Sequence, residues 1–238
     1  MSLTAIYRRL PSSLQPVAKQ LYMGQRWARF YARLPYARLL DRFRLNDLDD
    51  IYTEEYFLQR TRPPHDTVAE TVIDELVERY DPDTVADIGC AIGHYLLKFQ
   101  DRGIETTGFE GSQRAVNNAL VDTVQQADLR DGITVESDHN LVTCIEVAEH
   151  LHPIYADNIV NTIVSATGEN GTIVFTAAPP GQYGTHHINL KPRRYWIEKF
   201  EKRGVTYCPE DSKAIINSLN TRLSQKTWPV ENIMVFRN

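Results

Sequence analysis

The sequence predicts an α/β protein with a doubly wound, mostly parallel sheet and a helical N-terminal extension. Two observations carry that prediction: from residue 84 onward short apolar runs alternate with stretches of helical periodicity, and the first run ends in a glycine turn that opens a helix. Size and composition agree, because 238 residues that are 42% hydrophobic and 24% charged suit one such domain with an added arm.

The arm comes first. Residues 1–45 hold Arg8, Arg9, Lys19, Arg26, Arg29, Arg33, Arg38, Arg42 and Arg44 against Asp41 alone, about +8 in a chain of net charge −5, so the remainder carries about −13. Trp27, Phe30, Tyr31 and Leu34 fall at i, i+3, i+4 and i+7, which predicts an amphipathic helix that Pro35 ends. Tyr36, Leu39, Leu40 and Phe43 repeat the spacing and predict a second short helix. The chain thus divides into a basic arm, residues 1–50, and an acidic body, residues 51–238. Such an arm suits a membrane surface, an anionic polymer or a partner subunit, or packs on its own body.

In the body, Pro63 and Pro64 precede a helical pattern in which Val68, Val72, Ile73, Leu76, Val77 and Tyr80 share a face. Strands are predicted over 84–88, 106–109, 141–145 and 172–177, alternating with helices over 95–101, 113–121, 153–166 and 192–202. A helix over 210–223 and an edge strand over 232–236 follow. No window approaches the ~18 apolar residues of a membrane-spanning helix, and the N-terminal residues have no secretory pattern, so a cytoplasmic protein is expected. Cys90, Cys144 and Cys208 lack paired spacing and read as reduced, packed thiols.

The chemistry concentrates at Asp87-Ile-Gly-Cys-Ala-Ile-Gly93, where Gly89 and Gly93 let a strand turn sharply into a helix and let a ligand approach the backbone. The second strand ends in Glu110, 21 positions after Gly89, where a carboxylate is placed to accept both hydroxyls of a ribose. A dinucleotide needs the full G-x-G-x-x-G phosphate cradle, and here Cys-Ala-Ile separates the two glycines. Asp87 before the turn suits a cationic ligand, which favours S-adenosylmethionine over NAD.

Over about residues 52–238 the body resembles the class I S-adenosylmethionine-dependent methyltransferases. The likeness rests on Asp87-Ile-Gly-Cys-Ala-Ile-Gly93, Glu110, Ala127-Asp128-Leu129, Cys144-Ile-Glu-Val-Ala-Glu-His-Leu-His152 and His187-Ile-Asn-Leu-Lys-Pro-Arg-Arg-Tyr-Trp196. It implies a Rossmann-like fold in which Gly89, Cys90 and Gly93 line the methionine part of the cofactor and Glu110 holds the ribose. It further implies that Asp128 takes the adenine amino group and that Ile145 with Glu146 closes the other side.

On a helix, Glu146, Glu149 and His150 would share one face at i, i+3 and i+4, with His152, His186 and His187 nearby in loops. Three readings stay open. His150 or His187, with Glu149, acts as a general base on a hydroxyl. Alternatively Glu146, Glu149, His150 and His187 hold a divalent ion, the less favoured reading, which resembles the RNA terminal 2′-O-methyltransferases. In the third, the motif is structural. The stretch Pro179-Pro-Gly-Gln-Tyr-Gly-Thr-His-His187 is rich in glycine and hydrogen-bonding groups. The expected reaction is O-methylation of a polar small molecule or glycan hydroxyl. The alternatives are a metal-assisted RNA 2′-O-methyltransferase whose arm grips phosphates, and a catalytically silent module that keeps the cofactor fold.

Overall fold

The computed structural model describes residues 15–135, 138–182 and 184–238, with side chains from residue 28 onward. Arg8, Arg9, Tyr183 and the side chains of Lys19, Arg26 and Trp27 lie outside the described residues.

Helix α1 (Gln15–Arg42) leads through the short helices α2 (Leu48–Ile51) and α3 (Glu54–Leu58) into α4 (His65–Tyr80). The alternating section then runs β1 (Thr84–Ile88), α5 (His94–Gln100), β2 (Glu105–Glu110), α6 (Gln113–Asn117), β3 (Val124–Gln126) and β4 (His139–Ile145). It continues with α7 (Ala156–Ala166), β5 (Thr167–Thr176), α8 (Arg193–Glu201), β6 (Thr206–Tyr207), α9 (Pro209–Arg222), α10 (Trp228–Glu231) and β7 (Met234–Arg237). The seven strands form one sheet in the order β3-β2-β1-β4-β5-β7-β6. The first five strands are mutually parallel, and β7 runs antiparallel to both of its neighbours.

Both faces of the sheet are covered because each central strand is apolar on both sides. Successive residues point to opposite faces: Val85, Leu141, Val174 and Val235 meet Val72, Ile73 and Leu76 of α4 and Ile215 and Leu219 of α9. Ala86, Val142, Ile173 and Phe236 belong instead to the opposite core, with Ile159 and Ile163 of α7 and Trp196 and Phe200 of α8. Phe200 stacks on Phe236 with ring centroids 4.3 Å apart. Strand direction reverses its outward progress between β1 and β4, the switch point at which α/β sheets open a crevice beyond their carboxyl ends.

Three expectations are corrected. Pro35 does not end the first helix but lies inside α1, so the two helices expected on either side of it are one helix, Gln15–Arg42, of 28 residues. A proline removes one N–H donor and crowds the preceding turn, and here the turns beyond it are fastened to the body. The segment over 232–236 is not an edge: β7 lies inside the sheet, with Met234, Val235 and Phe236 all buried, and the two-residue β6 forms the edge. Strands β3 and β6 were not anticipated, because three and two residues are too few to show a period.

The carboxyl end of α1 is part of the body. The Arg38 guanidinium donates to the Ile188 carbonyl (2.7 Å), and the Tyr155 hydroxyl donates to the Arg42 carbonyl (2.8 Å). Asp41, 1% exposed, accepts from the His152 amide at 2.6 Å and lies 3.4 Å from the Arg130 guanidinium. Removal of residues 1–45 would strip those groups of their partner, so the charge boundary near residue 46 is not a boundary of packing. Among the described residues no helix is long and apolar enough to cross a membrane.

Asp41→Ala leaves a buried amide and a guanidinium short of an acceptor and is expected to lower stability by about 1–3 kcal/mol. Urea unfolding followed by circular dichroism checks this; a midpoint equal to that of the parent would show that Asp41 is not a fastening point.

Candidate active site

The crevice at the carboxyl ends of β1, β2 and β4 is a cavity of about 630 Å³, a size within the range of ligand sites. One wall is the turn after β1. Gly89 has φ +82 and Gly93 φ +74, and Ala91 between them is also left-handed at φ +51. A Cβ on Gly89 would stand 2.5 Å from the Val147 side chain, so glycine is required there by packing against the loop after β4.

Glu110 ties this turn to the end of β2. Its carboxylate accepts from the Ala91 amide (2.9 Å) and from the Ser112 amide (2.7 Å). Burial raises its pKa all the same, the amides opposing. Asp87 is buried at the end of β1, accepts from the Thr143 hydroxyl at 2.7 Å, and is pushed by burial up to about 7. A buried acid and a half-buried one beside one cavity suit a ligand that brings hydroxyl donors and positive charge.

Of the residues expected to hold a cofactor, Asp87, Gly89, Cys90, Glu110, Asp128, Ile145 and Glu146 line the cavity. Gly93 sits just behind it as the N-cap of α5. The Cys90 thiol is raised by burial well above its ordinary range and stays protonated. Asp128 departs from expectation in its partners: Arg130 donates to it from Nε (2.9 Å) and Nη2 (2.8 Å). Burial opposes its charge, but those bonds outweigh it and hold the carboxyl below its usual range. Arg130 reaches on to Asp41 and Asn46, so this wall is braced by α1 and the loop after it.

The expected helix through Glu146, Glu149 and His150 is absent. Glu146 leaves β4 with φ +56, and only a single 3₁₀ turn, Ala148–His150, follows. The Glu146 carboxylate accepts instead from Asn232 (2.9 Å) and Gln182. The cluster that does form is Glu149, His150 and His187, whose candidate ligand atoms lie within 4.8 Å of one another. Glu149 is fully buried, neither oxygen has a hydrogen-bond partner, and burial, with Glu146 beside it, raises it well above the carboxylate range. His187 Nε2 is 4.0 Å from it.

The two imidazoles stand edge to face with centroids 4.8 Å apart and have different partners. His150 Nδ1 is 2.9 Å from the Tyr52 hydroxyl, a phenol that burial keeps protonated. His187 Nδ1 is 3.3 Å from the Gln182 carbonyl and donates to it, which leaves the lone pair on Nε2. Burial lowers both, His187 to about 4 and His150 well below its usual value. A Cβ on Gly184 would stand 1.8 Å from His187 Nε2, so only glycine leaves this ring its place. His186 turns elsewhere, 3.4 Å from Asn46 Nδ2.

Sequence patterns missed Tyr52, Tyr56, Arg60 and Trp228, which also line the cavity, as does Gln182 from the polar stretch 179–187. Arg60 lies over the Tyr56 ring, 3.5 Å from its centroid, and donates to the Tyr56 carbonyl. None of these residues belongs to a spaced motif, and only the fold brings the segment after α2 over the crevice.

Comparisons with known proteins bear on the family and the fold. A family described as "Methyltransferase domain" matches residues 26–212. No curated protein matches the chain. Among solved structures, the sugar N-methyltransferase KedS8 from Streptoalloteichus is 15% identical with a TM-score of 0.60, over 76% of this chain and 91% of that one. A SAM-dependent methyltransferase from Archaeoglobus fulgidus is 16% identical, TM-score 0.55, over 77% and 99%. A TehB-like SAM-dependent methyltransferase from Corynebacterium glutamicum is 17% identical, TM-score 0.55, over 76% and 96%. At such identities the likeness is one of fold.

Two outcomes are expected from calorimetry. S-adenosylhomocysteine binds and NAD does not, and Glu110→Ala weakens the former by more than ~10-fold, since each charge-assisted bond contributes about 1.5–3 kcal/mol. Because Asp87 is raised to about 7, its charged form prevails above that pH and is lost below it. Affinity for cationic S-adenosylmethionine should therefore fall as pH drops through about 7, and Asp87→Asn should abolish that dependence.

Proposed function

Because the chain belongs to the S-adenosylmethionine-dependent methyltransferase family, we propose that it methylates a hydroxyl oxygen of a polar small molecule or glycan. The cofactor, when bound, supplies an electrophilic methyl carbon with a good leaving group. Gly89, Cys90, Glu110, Asp128, Ile145 and Glu146 are assigned to holding it, and Asp87 to balancing its positive charge. What remains for the protein is alignment, exclusion of water and disposal of one proton.

The observation that carries this reading is the unprotonated Nε2 of His187, held by the Gln182 carbonyl beside a buried carboxyl at the cavity wall. An oxygen that has gained a methyl group is a far stronger acid than an imidazolium, so even an imidazole held near 4 accepts its proton. A positive charge on His187 would favour ionisation of the Glu149 carboxyl 4.0 Å away, which burial otherwise opposes. His150, tied to Tyr52, is assigned to shaping the acceptor side. The polar wall that Gln182, Thr185 and Gln225 add to the cavity suits a hydroxylated acceptor.

A second reading has its own support. Two imidazoles and a carboxyl within one ion's reach resemble a site for Mg, Mn or Fe, which would fit metal-assisted 2′-O-methylation of RNA. In that arrangement His150 would have to ligate through the nitrogen that does not face Tyr52.

The test is transfer of labelled methyl to a panel of sugars, small hydroxylated molecules and RNA, with and without a chelator. His187→Ala is expected to cut turnover by ~10²–10⁴-fold, the range of a general base, while S-adenosylhomocysteine affinity stays unchanged. The turnover of the saturated enzyme should stay flat from neutral pH down toward 4, because His187 is unprotonated over that range. Loss of activity with chelator and its return with Mg or Mn would replace the base by a metal site. Transfer to no acceptor at all would favour the silent module.

A further inference from the structure

Helix α1 presents two opposite faces, and the fold uses one of them. At 100° per residue, Leu34, Ala37, Arg38 and Asp41 lie together, and this face is turned to the body, with Asp41 buried and Arg38 bonded to Ile188. The other face carries Arg29, Arg33, Tyr36 and Leu39 at i, i+4, i+7 and i+10, and Phe43 continues the row in the turn just past the helix, every one of them exposed. Tyr36 is 66% exposed, Leu39 52% and Phe43 58%. Leu45 extends the apolar end, and Arg42 flanks it with its guanidinium 5.7 Å from the centre of the Phe43 ring.

We propose that this face of α1 is a docking surface for an anionic lipid bilayer, on which the helix lies in the plane of the headgroups. Aromatic and leucine side chains beside arginines are the composition of an interfacial helix: the rings and aliphatic groups enter the boundary of the acyl chains while the guanidinium groups reach back to lipid phosphates. Charge complementarity decides the occupant. Two copies of this face would bring Arg29 and Arg33 against their own kind. A nucleic-acid backbone would match the arginines but leave Leu39, Phe43 and Leu45 in water, whereas a bilayer of acidic lipid accommodates both sets. The inner face of the same helix places Asp41 in the cavity wall, so docking would hold the acceptor cavity close to the lipid surface. This inference is independent of the assigned reaction.

The experiment is flotation of the full chain with vesicles of phosphatidylcholine alone and of phosphatidylcholine with phosphatidylglycerol at three to one. Binding is expected only to the acidic vesicles, to weaken with added salt, and to fall more than tenfold in Tyr36→Ser/Leu39→Ser/Phe43→Ser and in Arg29→Gln/Arg33→Gln/Arg42→Gln. S-adenosylhomocysteine affinity measured on each variant reports that the body is folded, since these side chains are outside the cavity. No flotation, equal flotation with both vesicle types, or flotation unaffected by either set overturns the proposal. Self-association without lipid that the first variant abolishes would make the face a contact between copies, and RNA binding without flotation would make it a nucleic-acid surface; either overturns it.

Discussion

The rest of the site depends on the burial of acids around one crevice. Asp87, Glu110 and Glu149 end or follow three adjacent strands of the sheet; Asp87 and Glu149 are buried and Glu110 is half-buried. A carboxylate so placed must find donors or stay protonated. Glu110 finds the amides of Ala91 and Ser112 and thereby fixes the turn after β1 to the end of β2. Asp87 finds one hydroxyl, from Thr143. Glu149 finds none, and burial raises it well above the carboxylate range 4.0 Å from His187.

These environments sort chemically similar groups into different tasks. Both imidazoles are neutral by burial, yet the phenol of Tyr52 occupies one nitrogen of His150, whereas the Gln182 carbonyl fixes the tautomer of His187 and leaves Nε2 as an acceptor. Similarly, Asp128 is neutralised by the Arg130 fork while Asp87 has no cation as its partner. The wall that contains Asp128 is not self-supporting: Arg130 joins it to Asp41 and Asn46, so helix α1 and the loop after it brace that side of the cavity. The arm is therefore fastened to the body by one face and presents a cationic, aromatic face outward.

The parallel sheet was legible in the sequence, because short, mainly apolar runs alternate with helical stretches from residue 84 onward and the first run ends in a glycine turn. The place of Glu110 at the end of the second strand was legible too, since its distance from Gly89 follows from the length of one helix between two adjacent strands. The sequence did not reveal β3 or β6, which are too short to show a period, or the continuity of α1 through Pro35, which depends on bonds from Arg38, Asp41 and Arg42 to residues over one hundred positions away. Nor could it separate Glu146 from the Glu149, His150 and His187 cluster. Spacing assumes a helix there, and the left-handed backbone at Glu146, fixed by Gln182 and Asn232, sends that side chain to other partners. Local periodicity and strand order reside in neighbouring residues and are legible in them. The tautomer of a histidine, the protonation of a buried acid and the face a helix leaves exposed are set by groups distant in the chain, and only tertiary structure brings those groups together.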